Sequence, residues 1–141
     1  MQKMNEKIVL DTHILLWSLL APDNLTAKIK DQITTAQSTD SLYISSVTLW
    51  EIAMLIQKKR VSVFERTSDF LNYISSIDGL SIIEISAGIA VESVMLPGGF
   101  ISDPADCLII SSTREIAGSL ITRDQKIIDW ANQGYLKVVI G

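Results

Sequence analysis

Short apolar runs alternate along this chain with longer stretches in which apolar residues recur at helical spacing. Ile8-Val9-Leu10 is apolar throughout and ends at Asp11, as in a strand buried on both faces. Ile14, Leu15, Trp17 and Leu19 then predict a helix that stops before Pro22. Thr26 caps a second helix reaching about Ala36, with Ile29 and Ile33 on its inner face. Leu42-Tyr43-Ile44 reads as the second strand, and Ser45 or Ser46 caps a helix from Val47 to about Lys58. A helix over Thr67–Ile77 closes near Gly79, Ser81–Ile85 forms a third strand, and Ser86 opens a helix to about Met95. Pro97-Gly98-Gly99 ends that helix in a turn.

Asp103-Pro104 is a strong helix start, an acid at the N-cap followed by proline in the first turn. This helix runs to Ile116 and ends at Gly118. Ser119–Thr122 supplies a fourth strand, Asp124 to about Gln133 a short helix, and Leu136–Ile140 a fifth strand. Regular alternation of strands and helices predicts an α/β fold with a mainly parallel five-stranded sheet. No repeat, low-complexity tract or linker interrupts it, so residues 1–141 read as a single domain.

Composition narrows the function classes. Of the 141 residues, 48% are apolar and 20% charged, which excludes a disordered chain. The mean hydropathy of +0.31 fits a sheet covered on both faces. The longest apolar stretch, Val47–Ile56, is too short to span a membrane, and Met1–Lys7 is polar, unlike a secretory leader. Cys107 is the sole cysteine, read as a small buried hydrophobe, so a cytoplasmic location is expected. A net charge of −4 argues against a general nucleic-acid coat protein, although acids packed around a metal lower net charge in the same way.

Ligands of open α/β sheets bind beyond the carboxyl ends of the strands. Asp11 follows the first strand, Asp124 lies just past the fourth, and Asp103 and Asp106 open the helix that feeds the fourth. Glu51 is the only ionisable residue of Val47–Ile56, flanked at helical spacing by Val47, Met54 and Leu55. A carboxylate on so apolar a face must be protonated, paired or bound to a cation. Three readings stand: a capping box with Thr48, an ion pair with a distant basic residue, or a metal or catalytic role. Asp11, Asp103 and Asp124 each also read as helix N-caps, and Asp106 suits the positive end of a helix. Several acids on one rim repel each other, and a divalent cation is the usual remedy.

Mg²⁺ and Mn²⁺ favour such oxygen ligands and support hydrolysis of phosphodiesters by activated water. A single cysteine and a single histidine, His13, argue against both a structural zinc site and a Ser-His-Asp triad. No Walker sequence is present. A phosphotransferase using Asp11 as nucleophile ranks low, because the second aspartate of such enzymes is replaced by His13.

Four blocks in this order resemble the PIN domains, and most of all the VapC-like toxins of bacterial toxin–antitoxin pairs. The blocks are Asp11-Thr12-His13, Ile44–Ala53, Asp103-Pro104-Ala105-Asp106 and Leu120–Asp124, and the resemblance runs from about Ile8 to Ile140. It implies a three-layer α/β/α fold and a Mg²⁺- or Mn²⁺-dependent endoribonuclease. Asp11, Glu51 and Asp106 match the family's core acids as catalytic metal ligands, and Asp124 matches a more variable fourth. Thr12, Ser46 and Thr122 match small polar residues lining the site, and Asp103 a capping or supporting acid. Arg123, and less so Lys58-Lys59-Arg60, are candidates for phosphate contacts. The resemblance also implies an RNA substrate, a homodimer and a small antitoxin placing a segment in the acidic groove. This chain departs from its near relatives in having Phe100-Ile101-Ser102 where they carry basic residues, and Cys107 where they tend to carry arginine. An alternative is therefore a protein-binding module on a PIN scaffold with weak or no activity.

Overall fold

The five segments read as strands all form strands, and all five join one sheet. A computed structural model describes residues 6–141; of the polar opening segment, residues 1–5 lie outside the described residues. The elements are β1 (Ile8–Leu10), α1 (Thr12–Leu20), α2 (Ala27–Ser38), β2 (Leu42–Ser45), α3 (Ser46–Gln57) and α4 (Thr67–Ser75). They continue as β3 (Leu80–Ile83), α5 (Ala87–Ser93), α6 (Pro104–Glu115), β4 (Ser119–Thr122), α7 (Gln125–Trp130) and β5 (Lys137–Ile140). The sheet is parallel throughout, in the order β3-β2-β1-β4-β5.

Alternation along the strands divides the core in two. Ile8 and Leu10 of β1, Leu42 and Ile44 of β2 and Ile121 of β4 face α1, α2 and α4. Val9 and Leu120 face the opposite layer, packed with Ile89, Ile109, Ile110 and Ile127 from α5, α6 and α7. The result is the α/β/α sandwich, with every β1 side chain buried. Buried hydroxyls of α6 are satisfied locally: Ser111 donates to the Ile89 carbonyl (2.8 Å) and Thr113 to that of Ile109 (2.8 Å).

The boundaries differ from the sequence reading where turns decide them. β3 spans Leu80–Ile83 rather than Ser81–Ile85, and Glu84 and Ile85 are exposed beyond it. α7 ends at Trp130 instead of Gln133, giving way to a wider turn over Ala131–Tyr135. Trp130 is clamped there between Phe100 (centroids 5.0 Å apart) and Tyr135 (5.3 Å). Its indole N–H donates to the Pro97 carbonyl (2.8 Å), tying down the loop before α6. Gly98 turns in that loop at φ +72°, and a Cβ on it would lie 2.7 Å from the Tyr135 ring. At the end of α6 the left-handed residue is Ala117 (φ +53°), not Gly118. Gly118 serves close packing, since its Cβ would meet the Lys7 carbonyl at 3.1 Å.

The strand order sets the position of the site. The chain steps outward from β1 through β2 to β3, then returns to lay β4 on the other flank of β1. Reversal of direction opens a crevice at the carboxyl ends of β1 and β4. Among the described residues, no helix is long and apolar enough to cross a membrane.

Candidate functional site

At that crevice lies a cavity of about 440 Å³ lined by Asp11, Glu51, Asp103, Asp106 and Asp124, with Thr12, His13, Trp17 and Arg123 on its walls. All five acids singled out in the sequence therefore meet, although up to 113 residues separate them (Asp11 to Asp124). Ser46 does not join them: it opens α3 but is not part of the cavity wall. The cap of α3 is Ser45, whose fully buried hydroxyl accepts from the Val47 amide (3.3 Å).

Asp11 ends β1 and caps α1. Its Oδ1 accepts from the Thr12 amide (2.9 Å) and its Oδ2 from the Thr122 hydroxyl (2.6 Å). Burial pushes its carboxyl above the ordinary range, opposed by those two bonds and by His13, while Asp124 adds to the rise. Thr122, fully buried at the end of β4, also accepts from the Asp124 amide (3.1 Å) and so couples the two acids.

Two of the three readings left open for Glu51 find no support among the described residues. α3 begins at Ser46, so Thr48 lies inside the helix and forms no capping box. Among the described residues the two ion pairs are Arg66–Asp69 and Arg114–Glu92, neither involving Glu51. Its Oε1 accepts instead from the Thr12 hydroxyl (2.5 Å). Thr12 has one proton to donate, so the Thr48 hydroxyl, 3.2 Å away and fully buried, donates to Thr12 in turn. Burial raises the Glu51 carboxyl above its usual range, and Asp11 and Asp103 raise it further. The sequence offered Thr48 only as a capping-box partner of Glu51; the structure places it instead as the buried hydroxyl behind the Thr12–Glu51 bond.

Asp106 sits in the first turn of α6, and its Oδ2 accepts from the Ser102 hydroxyl (2.8 Å). Burial first, then the charges of Asp103 and Asp11, push its carboxyl up to about 7. Ser102 stands in the stretch where the family's near relatives carry basic residues, and here it steadies an acid instead. Cys107, the other departure, is buried and its thiol is pushed up by that burial. Asp103 and Asp124 are both caps. Asp103 Oδ1 accepts from the Asp106 amide (3.0 Å), and Asp124 Oδ1 from the Lys126 amide (2.9 Å). Each cap uses Oδ1, so capping leaves the second oxygen of each available to the cavity.

The positive charge nearest these acids is held away from them. Arg123 lines the cavity, but its Nε donates to the Gly141 carbonyl (2.7 Å) and its Nη2 to the Asn24 carbonyl (2.8 Å). Its guanidinium carbon lies 4.4 Å from the centre of the Trp17 ring. Lys58, Lys59 and Arg60 are exposed at the end of α3, outside this cavity.

Hard oxygen donors, raised proton affinities and no paired cation together fit a divalent ion such as Mg²⁺ or Mn²⁺. Among the described residues no three Asp, Glu, His or Cys side chains stand close enough together to hold a metal ion as they are placed; the five acids line one cavity without closing on a common point.

Comparison with known proteins agrees with this architecture. The family model described as the PIN domain matches residues 8–132. Ribonuclease VapC22 of Mycobacterium tuberculosis is 26% identical over 120 residues, covering 85% of this chain and 88% of that protein. Among solved structures, VapBC2 from Rickettsia felis bound to a promoter DNA fragment superposes with a TM-score of 0.69 at 20% identity, covering 94% of this chain and 96% of that one. DNA-bound VapBC from Salmonella typhimurium gives 0.68 at 16% identity, covering 96% and 98%. A toxin-antitoxin complex from Klebsiella pneumoniae gives 0.64 at 23%, covering 95% and 97%. With its order of acidic blocks, its parallel sheet and a family match over most of its length, this chain belongs to the PIN domain family.

Proposed function

We propose that this protein, acting as a single PIN unit over its whole length, is a Mg²⁺- or Mn²⁺-dependent endoribonuclease of the VapC type, the toxin of a type II toxin–antitoxin pair. The observation that carries the reading is the convergence of Asp11, Glu51 and Asp106 on one cavity, each with its proton affinity raised and none paired with a cation. The likeness to Ribonuclease VapC22 supplies the substrate class.

Asp11, Glu51 and Asp106 would hold the metal, with the free oxygen of Asp124 completing the set and Asp103 supporting it. The chemistry a divalent ion would supply there is activation of water and neutralisation of charge on the scissile phosphate. The chain's own part is to aim the carboxylates. Thr122 and the Thr12 amide orient Asp11, the Thr48–Thr12 pair orients Glu51, and Ser102 orients Asp106. Such outer hydrogen bonds fix ligand geometry before substrate arrives. Arg123, restrained by two neutral carbonyls, keeps donors free for a phosphate oxygen instead of collapsing onto Asp11.

An antitoxin partner is supported by the likeness to VapBC complexes. A homodimer is supported by the apolar residues left open on and after α5, with Val94 82% and Met95 71% exposed. The cytoplasm is the setting such a pair requires. The test is cleavage of RNA by purified protein with Mg²⁺ or Mn²⁺, beside Asp11→Asn and Glu51→Gln. Both variants should lose activity by at least about 100-fold; cleavage equal to wild type defeats the assignment. The loss of basic residues around Ser102 and Cys107 favours a second reading, a binding module with little activity. Absence of calorimetric metal binding, with a protein partner still bound, would select it.

A further inference from the structure

A second cleft, of about 320 Å³, adjoins the acidic cavity and shares His13 and Trp17 with it. Its remaining walls are Leu16, Leu20, Leu55, Arg60 and Val61, and no acidic residue lines it. Both cavities thus lie along α1, whose start faces the carboxylates. Leu20 stands about 10 Å beyond His13 along the helix axis, at 1.5 Å per residue. Leu20 is 44% exposed, so the apolar floor is open to solvent.

The far end of this cleft is built at a conformational cost. α3 closes with the Lys59 amide bonded to the Ile56 carbonyl (3.0 Å) and the Arg60 amide to that of Leu55 (2.9 Å). This is the paired-bond helix ending that normally takes glycine at its left-handed residue. Here Lys59 occupies it at φ +58°, a conformation that L residues with a Cβ adopt only at a cost. The turn delivers Arg60 and Leu55 to the same wall, beside Val61. At the near end, Arg123 rests on Trp17 at the rim of the acidic cavity. Two guanidinium groups therefore bracket an aromatic and aliphatic floor continuous with the carboxylates.

We infer that this cleft is a substrate subsite for single-stranded RNA. It receives a nucleotide flanking the scissile phosphate, with the base against Trp17, Leu20 and Leu55 and the neighbouring phosphate on Arg60. Aromatic surface interleaved with cations is the pattern that binds single strands without sequence readout. The absence of acids complements a polyanion, and continuity with the acidic cavity places the bound strand in line for cleavage. In this overall acidic protein, such a strip supplies the attraction that bulk charge does not.

The inference rests on the ribonuclease reading, and the experiment separates the two. Cleavage of a fluorescein-labelled 20-nucleotide single-stranded RNA would be measured for wild type, Arg60→Glu, Leu20→Ser and Arg66→Glu, each checked for folding by thermal melting. Arg66→Glu makes the same charge change outside the cleft. Arg60→Glu and Leu20→Ser should raise KM about 10-fold, the loss falling on KM and not on kcat. Arg60→Glu should also flatten the salt dependence of binding by about one charge. A KM equal to wild type in both variants, with wild type cleaving RNA, overturns the subsite and assigns the cleft to a protein partner. An equal effect of Arg66→Glu also overturns it. Failure of wild type to cleave RNA with either metal overturns the ribonuclease reading and the subsite together.

Discussion

Replacing Asp106 by asparagine should make the metal-free protein more stable, and more so at high pH. In the fold its carboxyl is pushed from 3.8 up to about 7 by burial and by the charges of Asp103 and Asp11. Between those values the folded protein keeps a proton that the unfolded chain releases, so stability falls as pH rises through the window and the loss is complete above about 7. The interval corresponds to about 4 kcal/mol, which solvent screening at this half-buried group reduces to about 2 kcal/mol. The asparagine amide would retain an acceptor for the Ser102 hydroxyl while removing the charge. In urea titrations with EDTA, Asp106→Asn should gain about 2 kcal/mol at pH 8 and less than about 1 kcal/mol at pH 5. The corresponding rise in Tm at pH 8 is about 6 °C. Saturating Mg²⁺ should reverse the order, since a ligand at a hundred times its Kd stabilises wild type by about 2.7 kcal/mol. Equal gains at the two pH values, or no gain at pH 8, would refute the claim that the acids repel one another in an uncompensated site.

Two further outcomes follow from particular hydrogen bonds and dihedral angles. Thr12→Val keeps the shape of a buried side chain but removes the hydroxyl that holds Glu51; kcat for RNA should fall about 10- to 100-fold, while Thr12→Ser should recover most of it. A valine variant as active as wild type would mean that Glu51 needs no such support. Ala117→Gly should stabilise the fold by about 0.5–1 kcal/mol in urea unfolding, because the left-handed φ of +53° costs alanine more than the added chain freedom costs glycine. A destabilised Ala117→Gly would show that its methyl group packs more strongly than the backbone strains.

The fold was legible because periodicity and burial agree in a doubly covered parallel sheet. Ile8-Val9-Leu10 and the Leu120-Ile121 centre of β4 are buried on both faces, so apolar continuity, which marks them in the sequence, is also what their environment demands. Errors gathered where tertiary contacts set the limits. Gln125–Trp130 stops short because Trp130 enters an aromatic stack with Phe100 and Tyr135, and no local propensity reports a partner as distant along the chain as Phe100. Gly118 looked like a helix terminator, yet it is required by the nearby Lys7 carbonyl and leaves the strained turn to Ala117.

The site was legible for a different reason, and only in part. Charged residues stand out against an apolar background, so Glu51 in α3 and the aspartates beyond β1 and β4 could be found one at a time. Of the hydroxyls bonded to them, the family resemblance named Thr12 and Thr122, but the others were hidden. Thr48 read at most as a capping-box partner and Ser102 as an ordinary loop residue, and their contacts exist only because α3 brings Thr48 to Thr12 and the loop before α6 lays Ser102 over Asp106. The restraint of Arg123 is hidden in the same way, since its partners are carbonyls of Asn24 and Gly141 and the face of Trp17. These neutral partners decide the chemistry. Had the fold placed Arg123 on Asp11 or a lysine on Glu51, the acids would have been stable without metal and inert toward phosphate. Satisfying the carboxylates with hydroxyls and amides, and the arginine with carbonyls, leaves a net negative hollow whose repulsion a divalent cation would relieve under the proposed function.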